Sequence, residues 1–188
     1  MTTHTTTLPL VAGRWAVDPA HSAVNFTIRH LGVSKVRGRF TSFDVDVHVG
    51  DTVETTSVAA TIQLASIDTG NADRDAHVLA SDMVDVNLRP TLAFRSTMVT
   101  ANGDDWRVDG ELTVGEVTMP VTLAVLFGGV EEFPGGPRHA GFEATTQIRR
   151  QDFGLMPSIP AAALGDVIKI ELDIQLLEPD ATSDVAAE

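Results

Sequence analysis

Residues 66–85 read SIDTGNADRDAHVLASDMVD, and this polar stretch interrupts a chain that otherwise alternates between apolar and polar residues. Its residues 69–71, Thr-Gly-Asn, are typical of a turn, and Asn71 is a favoured type of residue at a helix N-cap. The sequence therefore predicts a short helix over residues 72–80, inserted between two β-strands. A helix of about two turns is unstable alone, so we expect it to be held by packing against the strands.

The charged residues of this helix allow two interpretations. Asp73 and Asp75 fall in the first turn, where the helix dipole favours carboxylates. Asp73 and His77 are four residues apart and share a face, with Arg74 close to it. The spacing favours a capped, ion-paired connector between strands, because structural ion pairs are common. It leaves open a polar cluster at the mouth of a pocket.

Outside this stretch, eight segments alternate with a period of two residues and carry one apolar face. Residues 43–49 show the pattern clearly, because Phe43, Val45, Val47 and Val49 alternate with polar side chains. Such segments are expected to be β-strands. Eight strands joined mainly by hairpins can close into a barrel, which leaves no exposed edge. The predicted strands are residues 22–30, 43–49, 57–64, 91–100, 106–113, 118–127, 139–149 and 167–177.

We therefore predict an all-β fold, an eight-stranded antiparallel β-barrel with a short helical insertion. Aromatic residues make up only 5% of the chain, so aliphatic side chains must line the interior. Slender aliphatic side chains favour a hollow barrel over a filled one. We place a disordered segment at residues 1–13, the barrel domain at residues 14–177 and a loose tail at residues 178–188.

Composition narrows the classes of function. Thirteen basic against twenty-six acidic residues give a formal charge of −13, which argues against nucleic-acid binding and disfavours adhesion to anionic membranes. The chain has no cysteine, so disulfides and thiolate metal sites are excluded. No segment approaches the ~20 apolar residues of a membrane span, so we expect no stable membrane insertion. The N-terminus lacks the features of a signal peptide, and we expect a cytoplasmic protein.

Residues 29–39, RHLGVSKVRGR, form a local exception to the negative charge. They hold four of the thirteen basic side chains and no acidic one. This pattern fits a solvated hairpin and fits an anion-attracting rim equally well, and both interpretations stay open.

Catalytic motifs are scarce. The sequence contains no GxSxG elbow, no P-loop and no dinucleotide-binding fingerprint. Asp73 and His77 could supply two metal ligands and His21 or His30 a third, but Arg74 would be repelled by a dication, and we predict no metal site. The enzymatic alternative is a metal-assisted or acid/base-assisted hydrolase at the cluster Asp73, Arg74, Asp75 and His77.

Several longer segments resemble the YceI-like family in order and spacing. They are WAVDPAHSAVNFTIRHLGVSKVRGRF, SIDTGNADRDAHV, SDMVDVNLRPTLAF, GELTVGEVTMPVTL, AGFEATTQIRRQDFGL and GDVIKIELDIQLL, and together they cover about residues 14–177. The resemblance implies a lipocalin-like barrel that binds or carries polyisoprenoids and related amphiphilic lipids without catalysis or cofactor. Members are often exported, and some are linked to stress responses or isoprenoid metabolism.

Three positions depart from the family pattern. Met83-Val84 stands where paired phenylalanines are usual, Gly115-Glu116 replaces Arg-Gly, and Arg149 stands where asparagine is common. The first change affects an apolar wall and the last adds a charge near a rim, so both bear on the identity of the ligand more than on the fold.

The leading hypothesis is a non-enzymatic barrel that binds and carries a long-chain isoprenoid or fatty amphiphile, as a monomer or a homodimer. A filled barrel that binds partners on its acidic surface is a third alternative. We expect head-group contact from Arg74 and bracing from Asp75. The predicted cavity-lining residues are Phe26, Ile28, Ile62, Phe94, Leu112, Phe142, Ile170 and Leu172. The predicted head-group or mouth residues are His21, His30, Arg74, Asp75, His77, Arg150 and Asp152.

Overall fold

A computed structural model describes residues 9–132 and 134–179. Eleven strand segments and one α-helix occur in these residues. They are β1 (Gly13–Val17), β2 (Ala23–His30), β3 (Ser34–Phe40), β4 (Phe43–Val49), β5 (Ser57–Gln63), β6 (Ile67–Asp68), α1 (Ala72–Leu79), β7 (Thr91–Asn102), β8 (Asp105–Val114), β9 (Val117–Glu132), β10 (Arg138–Arg149) and β11 (Leu164–Leu177).

The segments form eight long strands, because three strands are interrupted near their middle. β1 continues into β2, β3 into β4, and β5 into β6, as the pairings of β2 with β3 and of β1 with β4 show. Each long strand pairs antiparallel with the next in the sequence. The last strand, β11, pairs with β10 on one side and with β2 and β1 on the other, which closes the barrel. The predicted eight-stranded antiparallel barrel is confirmed.

The two ends of the barrel differ. One end, called the helix end below, carries the β2–β3 turn, the segment with α1, the β8–β9 turn and residues 150–163 between β10 and β11. The opposite end carries hairpin loops and is covered by Leu10. Leu10 is buried, and the adjacent Trp15 donates a hydrogen bond from Nε1 to the carbonyl of Val11 at 3.0 Å.

The burial of Leu10 corrects the predicted disordered segment, because residues 1–13 were expected to lie outside the core. Its apolar side chain packs with Trp15 and Val49, which removes it from water. Residues 1–8 and 180–188 lie outside the described residues, so the remainder of both predicted termini stays a prediction. Of the tail, Glu178 N donates to the carbonyl of Arg138 at 2.9 Å.

Helix α1 forms where the sequence predicted it and ends one residue earlier. Asn71 is the N-cap, and its side-chain oxygen accepts a hydrogen bond from Arg74 N at 2.9 Å. No residue of α1 is fully buried, but Val78 and Leu79 are half-buried against the barrel end. No helix among the described residues is both long enough and apolar enough to cross a bilayer.

The barrel wall has a seam between β9 and β10. Their ladder ends at the pair Ala124 and Thr145, so residues 117–123 of β9 lack a partner on that side. Pro120 lies in this stretch, where the absence of its N–H removes no ladder bond. The apolar side chains of Phe153 and Leu155 belong to the hydrophobic cluster that includes Val117 and Met119 along this seam.

Arg150 holds the segment that supplies Phe153 and Leu155. Its side chain is wholly buried. A guanidinium has five N–H bonds, and five backbone carbonyls accept hydrogen bonds from this one. The acceptors are Gly165 (3.1 Å from Nε), Leu155 and Met156 (3.4 and 2.6 Å from Nη1), and Ile159 and Leu164 (2.6 and 3.1 Å from Nη2). The segment between β10 and β11 is therefore folded around a single cation.

We expect the substitution Arg150→Met to lower the free energy of unfolding by at least about 3 kcal/mol, because several buried carbonyls lose their donor. Arg150→Lys, with three N–H groups in place of five, should restore only part of that loss. Urea denaturation followed by circular dichroism measures both.

Arg149→Met is the matched control. Arg149 is the adjacent residue, is largely exposed and forms an ion pair with Asp166 at 2.7 Å. Its substitution should cost about 1 kcal/mol, well below the loss for Arg150→Met, because it removes the partner of one oxygen of the largely buried Asp166 but no donor of a backbone carbonyl. Equal denaturation midpoints for the Arg150→Met and Arg149→Met variants would contradict the structural role of Arg150.

Candidate functional site

The barrel contains two chambers in series along its axis. The inner chamber has a volume of about 150 Å³ and the outer chamber about 300 Å³. Leu92 and Ile170 line both, so the chambers adjoin. The outer chamber lies at the helix end, because α1 and the segment after Arg150 contribute to its walls.

The inner chamber is apolar on all sides. Among the residues that the structure describes, its lining includes only three side chains with a polar atom, Thr56, Thr146 and Trp106. Thr56 donates to the carbonyl of Thr52 at 3.1 Å, and Trp106 Nε1 donates to that of Gly103 at 3.2 Å. Two of the three polar groups are therefore already satisfied within the protein, and the chamber suits a hydrocarbon.

The rings of Phe26 and Phe94 lie against the barrel wall and do not fill the chambers. A Cβ atom added to Gly38 would overlap the ring of Phe26, and one added to Gly110 would overlap the ring of Phe94. Gly38 is the direct cross-strand partner of Phe26. Because glycine has no side chain, each ring covers the neighbouring strand closely. This arrangement helps to keep both chambers open.

The outer chamber has polar groups at one side of an otherwise apolar lining. Strands β2 and β3 contribute Ile28 and Val36, and the segments at the helix end contribute apolar side chains such as Met83 and Met156. The polar lining residues are His30, Thr69, Arg74 and His77. The interior therefore changes from apolar in the inner chamber to partly polar at the helix end.

Thr69 fastens the start of α1 to the end of β6. Asp75 Oδ1 accepts hydrogen bonds from Thr69 N (3.0 Å) and Thr69 Oγ1 (2.6 Å). Arg74 donates from Nε to Thr69 Oγ1 (2.7 Å) and from Nη2 to the Thr69 carbonyl (2.8 Å). Within the described residues Arg74 Nη1 makes no hydrogen bond, so this part of the guanidinium is available beside the chamber.

The preceding residue, Asp68, ties the same loop to β3. Its Oδ1 accepts from Gly70 N at 2.9 Å and its Oδ2 accepts from Arg39 Nε at 3.1 Å. The N–H of Gly70 and then the Arg39 guanidinium lower the pKa of the Asp68 carboxyl from its usual value. The loop before α1 is therefore held by charged hydrogen bonds on both sides of Thr69.

All eight residues predicted to line a cavity face the interior. Ile170 borders both chambers. Phe26 and Ile28 line the outer chamber, and Ile62, Phe94, Leu112, Phe142 and Leu172 line the inner one. Their contact with a ligand stays a prediction.

The seven predicted head-group or mouth residues fall into two groups, those at the outer chamber and those away from it. His30, Arg74 and His77 line the outer chamber. Asp75 does not line it but accepts a hydrogen bond from Thr69, which does. The structure does not place the other three there. Asp152 is exposed in the turn after Arg150 and lines neither chamber.

His21 and Arg150 are the other two corrections. His21 is exposed at the bend between β1 and β2, where Nδ1 lies 2.8 Å from Asp18 Oδ2, and this hydrogen bond is the main reason why the pKa of Asp18 is lowered. Arg150 has no exposed surface and no N–H left for a head group, because backbone carbonyls accept all five.

Sequence reasoning missed Thr69, which is the hydrogen-bonding centre of the loop before α1. The Thr-Gly-Asn turn gave its position but not its partners, since an i to i+6 contact with Asp75 follows no helical or strand period. It also missed Met156 and Ile159 of the outer chamber, which lie in an irregular segment without periodicity.

The alternative hydrolase cluster is engaged in structural contacts. Asp75 and Arg74 both bind Thr69, and Asp73 is exposed and borders neither chamber. Within residues 9–132 and 134–179, no three His, Asp or Glu side chains lie close enough together to hold a metal ion.

Comparisons with known proteins agree on one family. The sequence model described as the YceI-like domain matches residues 15–176. The protein YceI of Escherichia coli O17:K52:H18 is 36% identical over 162 residues, which is 84% of this chain and 85% of that protein.

Two solved structures share the fold. Burkholderia cenocepacia BcnA aligns with a TM-score of 0.73 at 23% identity, over 85% of this chain and 98% of that one. A Saccharophagus degradans domain aligns with a TM-score of 0.62 at 14% identity, over 90% of this chain and all of that one. That domain is described as a polyisoprenoid binding domain implicated in plant cell wall breakdown. From the match over residues 15–176 and the identity with YceI, the chain belongs to the YceI-like domain family.

Proposed function

We propose that this protein binds and carries a long-chain amphiphile of the polyisoprenoid type, and that it does so without catalysis. The observation that carries the proposal is the change of polarity along the two adjoining chambers. The hydrocarbon lies in the inner, apolar chamber and the head group lies in the outer one, beside His30, Arg74 and His77. The description of the Saccharophagus degradans domain as polyisoprenoid-binding supports the choice of ligand class.

Magnitudes favour a ligand with a substantial apolar chain. Burial of a methylene group contributes about 0.8 kcal/mol, so ten of them give about 8 kcal/mol before other costs. Association costs at least about 4 kcal/mol. Tight binding therefore requires a longer chain, a paired head group, or both. The free Nη1 of Arg74 beside the outer chamber is the group best placed to bind an anionic head group.

We expect Ala60→Phe to weaken the binding of geranylgeraniol at least about tenfold, because the new ring occupies the inner chamber that Ala60 lines. A titration followed by the fluorescence of Trp106, which lines the same chamber, measures the affinity. Mass spectrometry of an organic extract of the purified protein should find a near-stoichiometric isoprenoid lipid, and less of it in the variant.

Ala59→Phe is the matched control. Ala59 is the preceding residue of β5 and alternates to the outer face of the wall, so the same ring is added outside the barrel. Thermal unfolding of both variants establishes that they are folded. If Ala60→Phe and Ala59→Phe bind geranylgeraniol equally well, the inner chamber is not the binding site.

We expect Arg74→Ala to weaken geranylgeranyl phosphate about tenfold more than geranylgeraniol, because the phosphate offers the guanidinium an anionic acceptor and the alcohol only a neutral one. Calorimetric titration of both ligands gives the difference. Arg39→Ala is the control, since Arg39 is an exposed cation bonded to the same loop but lines neither chamber. A loss of equal size for the two ligands would refute the head-group role of Arg74.

A further inference from the structure

The turn between β2 and β3 exposes apolar side chains where a solvated hairpin would carry polar ones. Leu31 is 57% exposed and Val33 is 84% exposed. Leu31 also has a φ of 52°, in the left-handed region that favours glycine or asparagine. Packing within the chain and turn geometry therefore leave the choice of these two residues unexplained.

Cations flank this turn on the outer face of the two strands. Arg29 lies opposite Lys35, and Arg37 lies opposite Thr27. Like charges directly opposite each other destabilise a sheet. Within the described part of the chain, Arg29, Lys35 and Arg37 form no ion pair within 4 Å. Glu171 lies near enough for Arg37 and Lys35 to lower its pKa, but none of the three exposed cations is held in a direct ion pair, which is notable in a protein with a formal charge of −13.

The neighbouring strand extends the positive region. Lys169 of β11 pairs with Thr27 and lies on the same outer face. Its ammonium donates to Glu171 at 2.8 Å, which is the main reason why the pKa of Glu171 is lowered, and Arg37 and Lys35 lower it further. Val167, which lies two residues nearer the helix end on the same face of β11, is 45% exposed. Apolar tips and cations thus share one corner of the barrel.

We propose that this corner docks on an anionic phospholipid bilayer. The docking corner consists of Leu31, Val33, Arg29, Lys35 and Arg37. Leu31 and Val33 enter the boundary between head groups and acyl chains, and the three cations contact lipid phosphates. Apolar side chains inserted beside cations are the combination that a lipid surface recognises, whereas a soluble anion offers nothing to the two exposed apolar groups.

The position of the docking corner gives the contact a purpose. His30 and Val36, from the same two strands, line the outer chamber. Docking through the β2–β3 turn therefore holds the polar side of the outer chamber near the lipid surface. Acidic side chains lie next to the corner along the barrel wall, since Glu143, Glu171 and Asp173 line a surface cleft together with Arg37, so the contact is confined to the hairpin end.

The net charge of −13 does not prevent this contact at physiological ionic strength. The Debye length is about 10 Å at 0.1 M salt, so charges elsewhere on the barrel are screened from the bilayer while those of the docking corner touch it. Higher salt should still weaken binding, since the three cations act through electrostatics.

The test is flotation of the purified protein with vesicles made of equal parts phosphatidylcholine and phosphatidylglycerol. The native chain should float with them and bind pure phosphatidylcholine at least about tenfold less. Lys35→Gln with Arg37→Gln should weaken binding to the anionic vesicles about tenfold or more and remove most of its salt dependence. Leu31→Asn with Val33→Ser should weaken it to a similar extent, while asparagine suits the backbone at position 31.

Two controls remove the same groups from other places. Leu126→Ser removes an exposed apolar side chain from β9, and Arg14→Gln removes an exposed cation that is paired with Asp46 at 2.7 Å. Both should float like the native chain. The Leu31→Asn, Val33→Ser variant should keep its affinity for geranylgeraniol, so loss of docking and loss of lipid binding are separated.

The proposal is overturned if the native chain does not float with anionic vesicles, or if the docking-corner variants float as well as the controls. It is also overturned if light scattering shows that the Leu31→Asn, Val33→Ser variant changes only the oligomeric state. In that case the corner is a contact between copies of this chain.

Discussion

Five hydrogen bonds from the buried Arg150 guanidinium hold the segment between β10 and β11, which forms part of the wall of the outer chamber. The carbonyls that Arg150 binds belong mainly to residues whose side chains line the outer chamber, namely Leu155, Met156, Ile159 and Leu164. An irregular segment inside a protein must satisfy its backbone groups without a ladder. Arg150 supplies the donors from behind, which leaves the side chains of the segment free to face the chamber. If Arg150 were paired with a carboxylate, that group would occupy N–H groups that the backbone carbonyls now use. Some of these carbonyls would then be left without a donor.

A second polar centre serves the opposite wall. Thr69 donates a hydrogen bond to Asp75 and accepts one from Arg74, and so fixes the start of a helix that is too short to be stable alone. The two centres differ in accessibility. Arg150 is wholly buried and has no capacity left, whereas Arg74 is exposed and keeps Nη1 beside the chamber. One guanidinium is thus structural, and under the proposed function the other serves both structure and recognition.

The strands could be predicted because their apolar residues repeat with a period of two, whereas the hydrogen bonds between residues distant in the sequence could not. Alternation in the strands gave the barrel and the inward direction of Phe26, Phe94 and Leu172, and the Asn71 cap gave α1. The partners of Arg150 lie five to fifteen residues away in an irregular segment, so no period marks them. His21 was misplaced for a related reason, since the bend between β1 and β2 carries it to the outer surface beside Asp18. Leu10 was assigned to a disordered segment because threonines dominate the start of the chain, and the short apolar run at residues 8–12 was grouped with them although Leu10 joins the core.

The outer surface of the barrel combines a strongly negative net charge with a local group of cations at the β2–β3 hairpin. Net charge governs solubility and long-range repulsion, and it is a sum over the whole surface. A surface contact within a Debye length responds instead to the few charges that touch it. The β2–β3 hairpin holds cations that face one another across the ladder, which costs folding stability and gains no ion pair for Arg29, Lys35 or Arg37 in the described structure. A cost of this kind, beside two exposed apolar residues and a chamber suited to an amphiphile, is explained more simply by a contact outside the chain than by anything the barrel needs in order to fold.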